Sequence, residues 1–197
     1  MSLDLITISG IAGSGKSTTA HALGTVRPDY DRVATDNLVA IKRSLDPSDP
    51  RIQHSSYLSW RLFGEPTPEN RAQGLYAYRD AVRPYLDPIL RRADEQIVGM
   101  VVEGIHVDPE SLLAYDFTNV RPVPVLLSVS EQELHEHMRI KCAYRPALYA
   151  HFQENLDHVL ALQQVLIDEA VRFGVPIVSA NGSIERTVRD IEVCING

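Results

Sequence analysis

Short apolar runs alternate with longer amphipathic segments along this chain. Five runs are rich in apolar and β-branched side chains, at residues 3–8, 32–35, 100–106, 123–129 and 176–180. Runs of this length predict buried strands rather than helices. Between them, apolar residues recur at steps of three and four, which is the spacing of a helix with one buried face. This alternation predicts an α/β fold of three layers, in which helices cover both faces of a five-stranded parallel sheet.

The helical segments differ in how clearly their ends are marked. Gly24 should end the first helix, and Gly174 should end a long helix over residues 147–173. Pro84 and Pro88 should kink or divide the helical segment 68–98. Further helices are predicted over residues 37–44, 54–63, 131–141 and from about 184 onward.

A phosphate-binding sequence lies between the first strand and the first helix. Residues 10–18 fit the pattern G-x-x-x-x-G-K-S/T at every fixed position. The glycines allow backbone N–H groups to converge on phosphate oxygens, and the helix that follows adds its positive dipole end. The strand before the segment disfavours the alternative of an ordinary glycine-rich turn. The predicted nucleotide-binding residues are Gly10, Ala12, Gly13, Ser14, Gly15, Lys16, Ser17 and Thr18.

Two side chains of this segment have specific predicted roles. Lys16 supplies a mobile positive charge for the β and γ phosphates, and the hydroxyl of Ser17 is placed to ligate Mg²⁺. The chain is therefore predicted to bind a nucleoside triphosphate, with ATP and Mg²⁺ as the expected cofactors.

Composition narrows the class of partner. The chain has 197 residues, 44% of them hydrophobic, and these values are typical of one globular domain. Its formal charge of −7 argues against nucleic acid as the main partner, although a local arginine cluster can still bind a small anion. No apolar run approaches the ~20 residues of a membrane span, and the first residues lack the pattern of a signal peptide.

The two cysteines indicate the expected compartment. Cys142 and Cys194 form no C-x-x-C pair and are far apart in sequence, so we expect reduced thiols in a cytoplasmic protein. The sequence leaves the oligomeric state open.

An acid follows each of two predicted strands. In open parallel sheets, ligands collect beyond the carboxyl ends of the strands, so Asp36 and Glu103 should lie near residues 10–18. Asp36 suits a base for an attacking hydroxyl or a water-mediated Mg²⁺ ligand, and it equally suits the N-cap of the helix 37–44. Glu103 occupies the place of a carboxylate that orders Mg²⁺, with a structural hydrogen bond as the alternative. A lone histidine such as His106 is more often structural than catalytic.

The segment of about 45–97 carries the candidate groups for a second substrate. His54, Ser55, Ser56 and Tyr57 form a dense polar cluster at a predicted helix start. Arg79 and Arg83 stand four residues apart and so share a helix face, which fits either anion binding or a solvated surface. The second of these alternatives is the commoner one for paired arginines.

A basic connection follows the helix 131–141. Arg139, Lys141 and Arg145 crowd this exit, which predicts a lid over about residues 139–150. The alternative is a basic helix end that complements the helix dipole. Arg145 is the strongest lid candidate because it lies in the connection itself.

Taken together, these features resemble the P-loop kinases and, within them, the 2-phosphoglycerate kinases of archaea and bacteria. The resemblance rests on segments spread over nearly the whole chain: residues 10–17, 34–36, 54–57, Val82 with Pro84, 102–106 and 149–178. The cluster H-x-S-S-Y together with E-G-x-H is the narrowest of these signals. The chain departs from the family at Val39, where the family has arginine, while Arg43 matches a second basic position.

The resemblance implies a P-loop nucleotide-kinase-like fold and the transfer of the ATP γ-phosphoryl group to 2-phosphoglycerate, which gives 2,3-bisphosphoglycerate. Lys16, Asp36 and Arg145 are the expected catalytic residues, and Ser17 and Glu103 the expected metal ligands. The expected residues for a small anionic acceptor are Asp36, Arg43, His54, Tyr57, Arg79, Arg83, Glu103 and His106. Two alternatives remain: a kinase for a sugar acid or a nucleoside, and a nucleotide-dependent switch that hydrolyses ATP slowly.

Overall fold

A computed structural model describes residues 3–196 of the chain, which form one parallel sheet covered by helices. The sheet has the order β2-β3-β1-β4-β5. The strands are β1 Leu3–Ser9, β2 Asp31–Ala34, β3 Met100–Glu103, β4 Val120–Ser128 and β5 Ile177–Ser179. The predicted five-stranded parallel sheet is confirmed. Because β1 lies between β3 and β4, the sheet is built outward from it in both directions, and ligands bind at such a switch point.

Eight α-helices connect and cover the strands of the described chain. They are α1 Lys16–Val26, α2 Asp36–Leu45, α3 Pro68–Glu95, α4 Pro109–Ala114, α5 Glu131–Lys141, α6 Pro146–Glu154, α7 Leu156–Phe173 and α8 Ile184–Asn196. Two 3₁₀ helices, Pro50–Ile52 and Ser56–Leu62, lie between α2 and α3. The second of them replaces the α-helix predicted over residues 54–63. No helix in residues 3–196 is both long and apolar enough to cross a lipid bilayer.

The side chains of β1 show how the sheet separates two apolar layers. Leu5 packs in the same cluster as Val82 and Leu86 of α3. The neighbouring Ile6 points to the other face, where it joins Ile191 of α8. This alternation follows from the two-residue period of a strand, and it gives the sheet a helical layer on each face, as predicted.

Two prolines do not divide α3. Pro84 and Pro88 both lie inside the continuous helix Pro68–Glu95, so of the two predicted outcomes a division of the helix is wrong, and a kink stays a prediction. Both prolines are exposed, and Asp80, whose carbonyl Pro84 leaves without an N–H donor, is exposed as well. Water can satisfy a freed carbonyl on that face, which is why the helix tolerates the prolines.

The long helix predicted over residues 147–173 is two helices. Asn155 leaves the helical conformation, with φ −116° and ψ 14°, between α6 and α7. Its side-chain amide donates to the carbonyl of His151 over 2.7 Å. An asparagine that bonds the preceding turn offers the backbone an alternative to continuing the helix.

Candidate functional site

The phosphate loop, residues 10–18, connects β1 to α1, and its turn depends on glycines in left-handed backbone conformations. Gly13 has φ 85° and Gly15 has φ 88°, a region that favours glycine. At Gly13 a Cβ atom would lie 2.7 Å from Leu134 Cδ1, so the loop backbone is in direct contact with α5. The predicted glycine-dependent conformation is therefore present.

Lys16 turns back over this loop. Its ammonium donates to the carbonyl of Ile11 over 2.8 Å. Burial lowers the pKa of Lys16, the charges of Glu103 and Asp36 raise it, and that of Lys141 lowers it slightly. A bound phosphate would add negative charge beside this ammonium and stabilise its protonated form.

Ser17 and Glu103 bring two hard oxygen donors together. The Ser17 hydroxyl donates to Glu103 Oε1 over 2.8 Å, and Glu103 is buried at the end of β3. Among residues 3–196, no three acidic, histidine or cysteine side chains are grouped as a metal site. Mg²⁺ commonly uses one or two protein oxygens and takes the rest of its ligands from phosphate and water, so this pair fits Mg²⁺.

A cavity of 530 Å³ opens beside the phosphate loop, and we call it the loop cavity. Its volume suits a ligand of nucleotide size. It is lined by Ala12, Gly13, Gly15, Lys16, Ser17, Thr18, Thr19, Asp36, His137, Ile140, Lys141, Ala180, Gly182, Ile184 and Thr187. The Nδ1–H of His137 donates to the carbonyl of Gly13 over 2.9 Å, which ties α5 to the loop. The turn after β5 contributes Gly182 and completes the wall.

A second cavity of 310 Å³ lies on the other side of Lys16, and we call it the hydroxyl cavity. It is lined by Gly10, Ala12, Lys16, Asp36, Val39, Arg43, Ser55, Ser56, Tyr57, Tyr78 and Ile105. Four of these residues carry hydroxyl groups. Burial raises the pKa of Tyr78 to about 12, with Asp36 adding to the rise and Arg43 opposing it, so this hydroxyl stays neutral. The cavity suits a small polar molecule.

Asp36 and Lys16 line both cavities. Asp36 is exposed and is the first residue of α2, whose N-cap is Thr35. The alternative that Asp36 itself caps this helix is therefore wrong. The end of β2 and the start of α2 thus position Asp36 where the two cavities meet.

Thr35 links the two acids through the backbone. Its N–H donates to the Glu103 carbonyl over 2.9 Å, and its hydroxyl donates to the same carbonyl over 3.1 Å. The hydroxyl lies 2.6 Å from Nδ1 of His106, so it can accept from Nδ1–H. Thr35 and Glu103 thus form a hydrogen-bonded pair, and Asp36 directly follows Thr35 in the chain.

His106 is buried behind this pair rather than exposed to either cavity. Burial lowers its pKa to about 4, with nearby Asp36 opposing the shift. Its ring stacks on Tyr78 at 5.3 Å between centroids. Within residues 3–196 its Nε2 atom has no hydrogen-bond partner. His106 therefore lies behind the cavity wall, and not at the acceptor position that was predicted for it.

The structure does not place Arg79 or Arg83 in the hydroxyl cavity, which corrects their prediction as acceptor ligands. Arg79 is 2% exposed and forms a bidentate ion pair with Glu169 at 2.7 and 2.9 Å. Arg83 pairs with Asp108 at 3.0 Å. Arg79 is therefore a buried structural cation, and the helical spacing that suggested a shared anion site has a packing explanation.

Arg43 and Tyr57 do reach the hydroxyl cavity, while His54 contributes differently from the prediction. The Arg43 guanidinium donates to the carbonyls of Ile52 and His54, over 2.9 and 3.1 Å. His54 thus orients Arg43 through its backbone, and its side chain is not among the lining groups.

Arg145 lies at the far end of α5, in the connection to α6. It is exposed, as is the neighbouring Tyr144 at 99%. Arg145 lines neither cavity. The lid role of this connection stays a prediction.

Sequence analysis missed several lining residues. Tyr78 belonged to the apolar stripe of α3 and was assigned only to the core, although it also lines the hydroxyl cavity. His137 and Thr187 carried no motif at all. Their position depends on α5 and α8 packing beside the phosphate loop, which no local spacing shows.

Comparison with known proteins gives several sequence relatives that are named 2-phosphoglycerate kinase. The 2-phosphoglycerate kinase of Pyrococcus horikoshii is 28% identical over 190 residues, covering 95% of this chain and 62% of the relative. That of Methanocaldococcus jannaschii is 23% identical over 197 residues, covering 98% of this chain and 62% of the relative. The chain thus spans about three fifths of the length of these relatives. No protein-family model matches it.

Solved structures with similar folds include a gluconokinase and shikimate kinases. A gluconokinase from Sinorhizobium meliloti aligns with a TM-score of 0.55 and 18% identity, over 98% of this chain and 91% of the other. A shikimate kinase from Acinetobacter baumannii aligns with a TM-score of 0.58 and 13% identity, over 98% and 92%. This chain shares the fold of these kinases, and in sequence it resembles the 2-phosphoglycerate kinases.

Proposed function

We propose that this protein is an ATP-dependent kinase that transfers the γ-phosphoryl group to a hydroxyl of a small anionic molecule. The observation that carries the proposal is that Lys16 and Asp36 line both the loop cavity and the hydroxyl cavity. A triphosphate held by the loop and an acceptor held in the second cavity would meet at these two residues. Phosphoryl transfer needs this positioning more than covalent chemistry from the protein.

Each group at the junction has a defined part in the proposed reaction. The acceptor oxygen forms a bond to the γ-phosphorus, while the bond from that phosphorus to the bridging oxygen of ADP breaks and its electron pair leaves with ADP. The hydroxyl proton passes to the Asp36 carboxylate, which acts as general base. Lys16 and the loop amides hold the phosphates in place.

Ser17 and Glu103 would hold magnesium in this scheme, because their oxygens already lie 2.8 Å apart beside the loop. When bound, the ion neutralises charge on the phosphate oxygens. Arg145 is proposed to close over the transferring group, since it is exposed and lies in the connection after α5. Excluding water by such a closure would limit wasteful hydrolysis of ATP.

The names of the sequence relatives point to 2-phosphoglycerate as the first acceptor to test, with 2,3-bisphosphoglycerate as its product. A hydroxy acid without phosphate is the second candidate, and the charges of the hydroxyl cavity favour it. The presence of a formed hydroxyl cavity also supports a kinase over a nucleotide-dependent switch.

The proposed function is tested by ADP release with a panel of hydroxyl acceptors, and phosphorus NMR identifies the product. We expect one acceptor to accelerate ATP turnover by orders of magnitude, and Lys16→Ala to lower kcat by about 100- to 1000-fold. Arg92→Ala, which removes a cation that pairs with Asp31 on the surface, serves as the control. No acceleration by any acceptor would favour the switch, and retention of most activity by Lys16→Ala would contradict the assigned phosphate site.

A further inference from the structure

We infer that the acceptor is a small hydroxy acid with a single anionic group, held by Arg43. The acid belongs to the class of glycerate and the longer aldonates rather than to the phosphorylated acids. This inference rests on the proposed kinase function and narrows its substrate class.

The hydroxyl cavity is lined by few charged side chains. Its lining contains two cations, Lys16 and Arg43, and one acid, Asp36. Lys16 bonds the phosphate loop and also lines the loop cavity, so its charge serves the triphosphate. Among the described residues of this lining, Arg43 is therefore the cation that remains for the acceptor.

The orientation of Arg43 favours the binding of one carboxylate. Two backbone carbonyls, those of Ile52 and His54, take N–H groups from Nε and Nη2. A guanidinium has five N–H donors, so donors remain for a ligand while the plane of the group is fixed. This arrangement matches a planar carboxylate, which an arginine binds with defined geometry.

The two arginines of α3 are already paired with acidic side chains. Arg79 is buried against Glu169, and Arg83 is held by Asp108. Withdrawing Arg79 from its partner would leave a buried carboxylate without a counter-charge, which proteins rarely tolerate. The two cations of α3 are thus committed to other partners.

The remaining lining opposes a second anionic group. Asp36 adds negative charge, and Val39 presents an apolar wall one helical turn before Arg43. The hydroxyls of Ser55, Ser56 and Tyr57 suit neutral hydroxyl groups of a substrate. A phosphate of about two negative charges would lose its hydration here without gaining a paired cation, and this discriminates against it.

The test compares acids that differ only by a phosphate group. We would measure kcat/KM from ADP release for glycerate against 2-phosphoglycerate, and for gluconate against 6-phosphogluconate. We expect the acid without phosphate to be preferred by about tenfold or more in at least one pair. A preference of the unaltered protein for the phosphorylated acid in both pairs would overturn the inference and leave the kinase function standing.

A gain-of-function variant makes the test sharper. Val39→Arg places a second guanidinium on the cavity-facing side of α2, and we expect it to shift the preference toward the phosphorylated acid by about tenfold. Ala40→Arg, which adds a guanidinium to the exposed face of α2 outside the cavity lining, is the matched control and should leave the preference unchanged. Because Val39 is 4% exposed, Ser56→Arg supplies the second guanidinium from the half-buried 3₁₀ helix if the first variant does not fold.

The two proposals fail in different ways. If neither variant shifts the ratio while both remain folded and active, the cavity does not select by charge and the inference is wrong. If no acid in either pair raises ADP release above the rate with ATP alone, the proposed kinase function fails for this substrate class, and the inference fails with it.

Discussion

The loop cavity and the hydroxyl cavity share Ala12, Lys16 and Asp36 but are built differently. The inner edge of the loop cavity is the backbone of one continuous segment, in which Gly13 and Gly15 adopt left-handed conformations. The hydroxyl cavity is assembled from side chains of α2, a 3₁₀ helix and α3. A cradle made of amides can bind any phosphate chain, whereas a cavity made of side chains can distinguish one acceptor from another.

The largest expected effect comes from Asp36, which lines both cavities. Asp36→Asn should lower kcat by about 100- to 10,000-fold because it removes the proposed base. Nucleotide affinity should change little, since the loop amides are intact. Steady-state ADP release and calorimetric nucleotide binding separate these quantities, with Asn37→Ala on the same helix as the control. A variant that kept the kcat of the unaltered protein would exclude Asp36 as the base.

Substitutions in the wall behind the hydroxyl cavity should change the stability of the protein rather than the binding of the acceptor. Arg79→Ala leaves Glu169 buried without a partner and should lower the free energy of unfolding by about 3–5 kcal/mol. Arg83→Ala removes a pair whose arginine is 42% exposed and should cost less than about 1 kcal/mol. Urea unfolding monitored by circular dichroism measures both. An Arg79→Ala protein of unchanged stability and raised acceptor KM would restore Arg79 to the binding site.

His106 should make this same wall sensitive to acid. Its folded-state pKa is about 4, below the ordinary value of 6.5, so the unfolded chain takes up the proton first as pH falls. Stability from this group is complete above about pH 6.5 and is lost as pH falls toward 4, by about 3 kcal/mol in total. In His106→Gln the unfolding free energy should depend less on pH over this range. Parallel curves for the two proteins would contradict the burial of a neutral imidazole.

The smallest expected effect tests the backbone of the cradle. A Cβ atom at Gly15 meets no atom within 4 Å, so Gly15→Ala should cost only the strain of φ 88°, about 1–2 kcal/mol of stability. At Gly10 a Cβ atom would lie 2.9 Å from the Leu127 carbonyl, so Gly10→Ala should be the more damaging of the two. Thermal unfolding of both variants measures the difference. Equal losses would show that conformation rather than space determines the cradle.

The parts of the site that follow local rules could be predicted from sequence. The phosphate loop is one uninterrupted motif, and the strand-end rule is enough to bring Asp36 and Glu103 beside it. The parallel sheet follows from alternating strands and helices, and the structural comparison confirms that fold. These features depend on short-range spacing, which a single sequence contains.

The features that sequence reasoning did not find depend on distant partners. Glu169 lies 90 positions after Arg79, and nothing near either residue indicates that they pair. Tyr78 has the spacing of a core residue, and only the placement of α3 shows that it also lines a cavity. The break at Asn155 depends on one side-chain bond within a strongly helical pattern.

Gly13 has a consequence for the motion of the segment after α5. Because it has no side chain, Leu134 and Met138 rest directly on the loop backbone, at distances of 2.7 and 3.0 Å from where a Cβ atom would be. There is no free space between the loop and α5 at this point, so a larger residue at position 13 would push the helix away from the loop. That shift would also displace the far end of α5, and Arg145 with it.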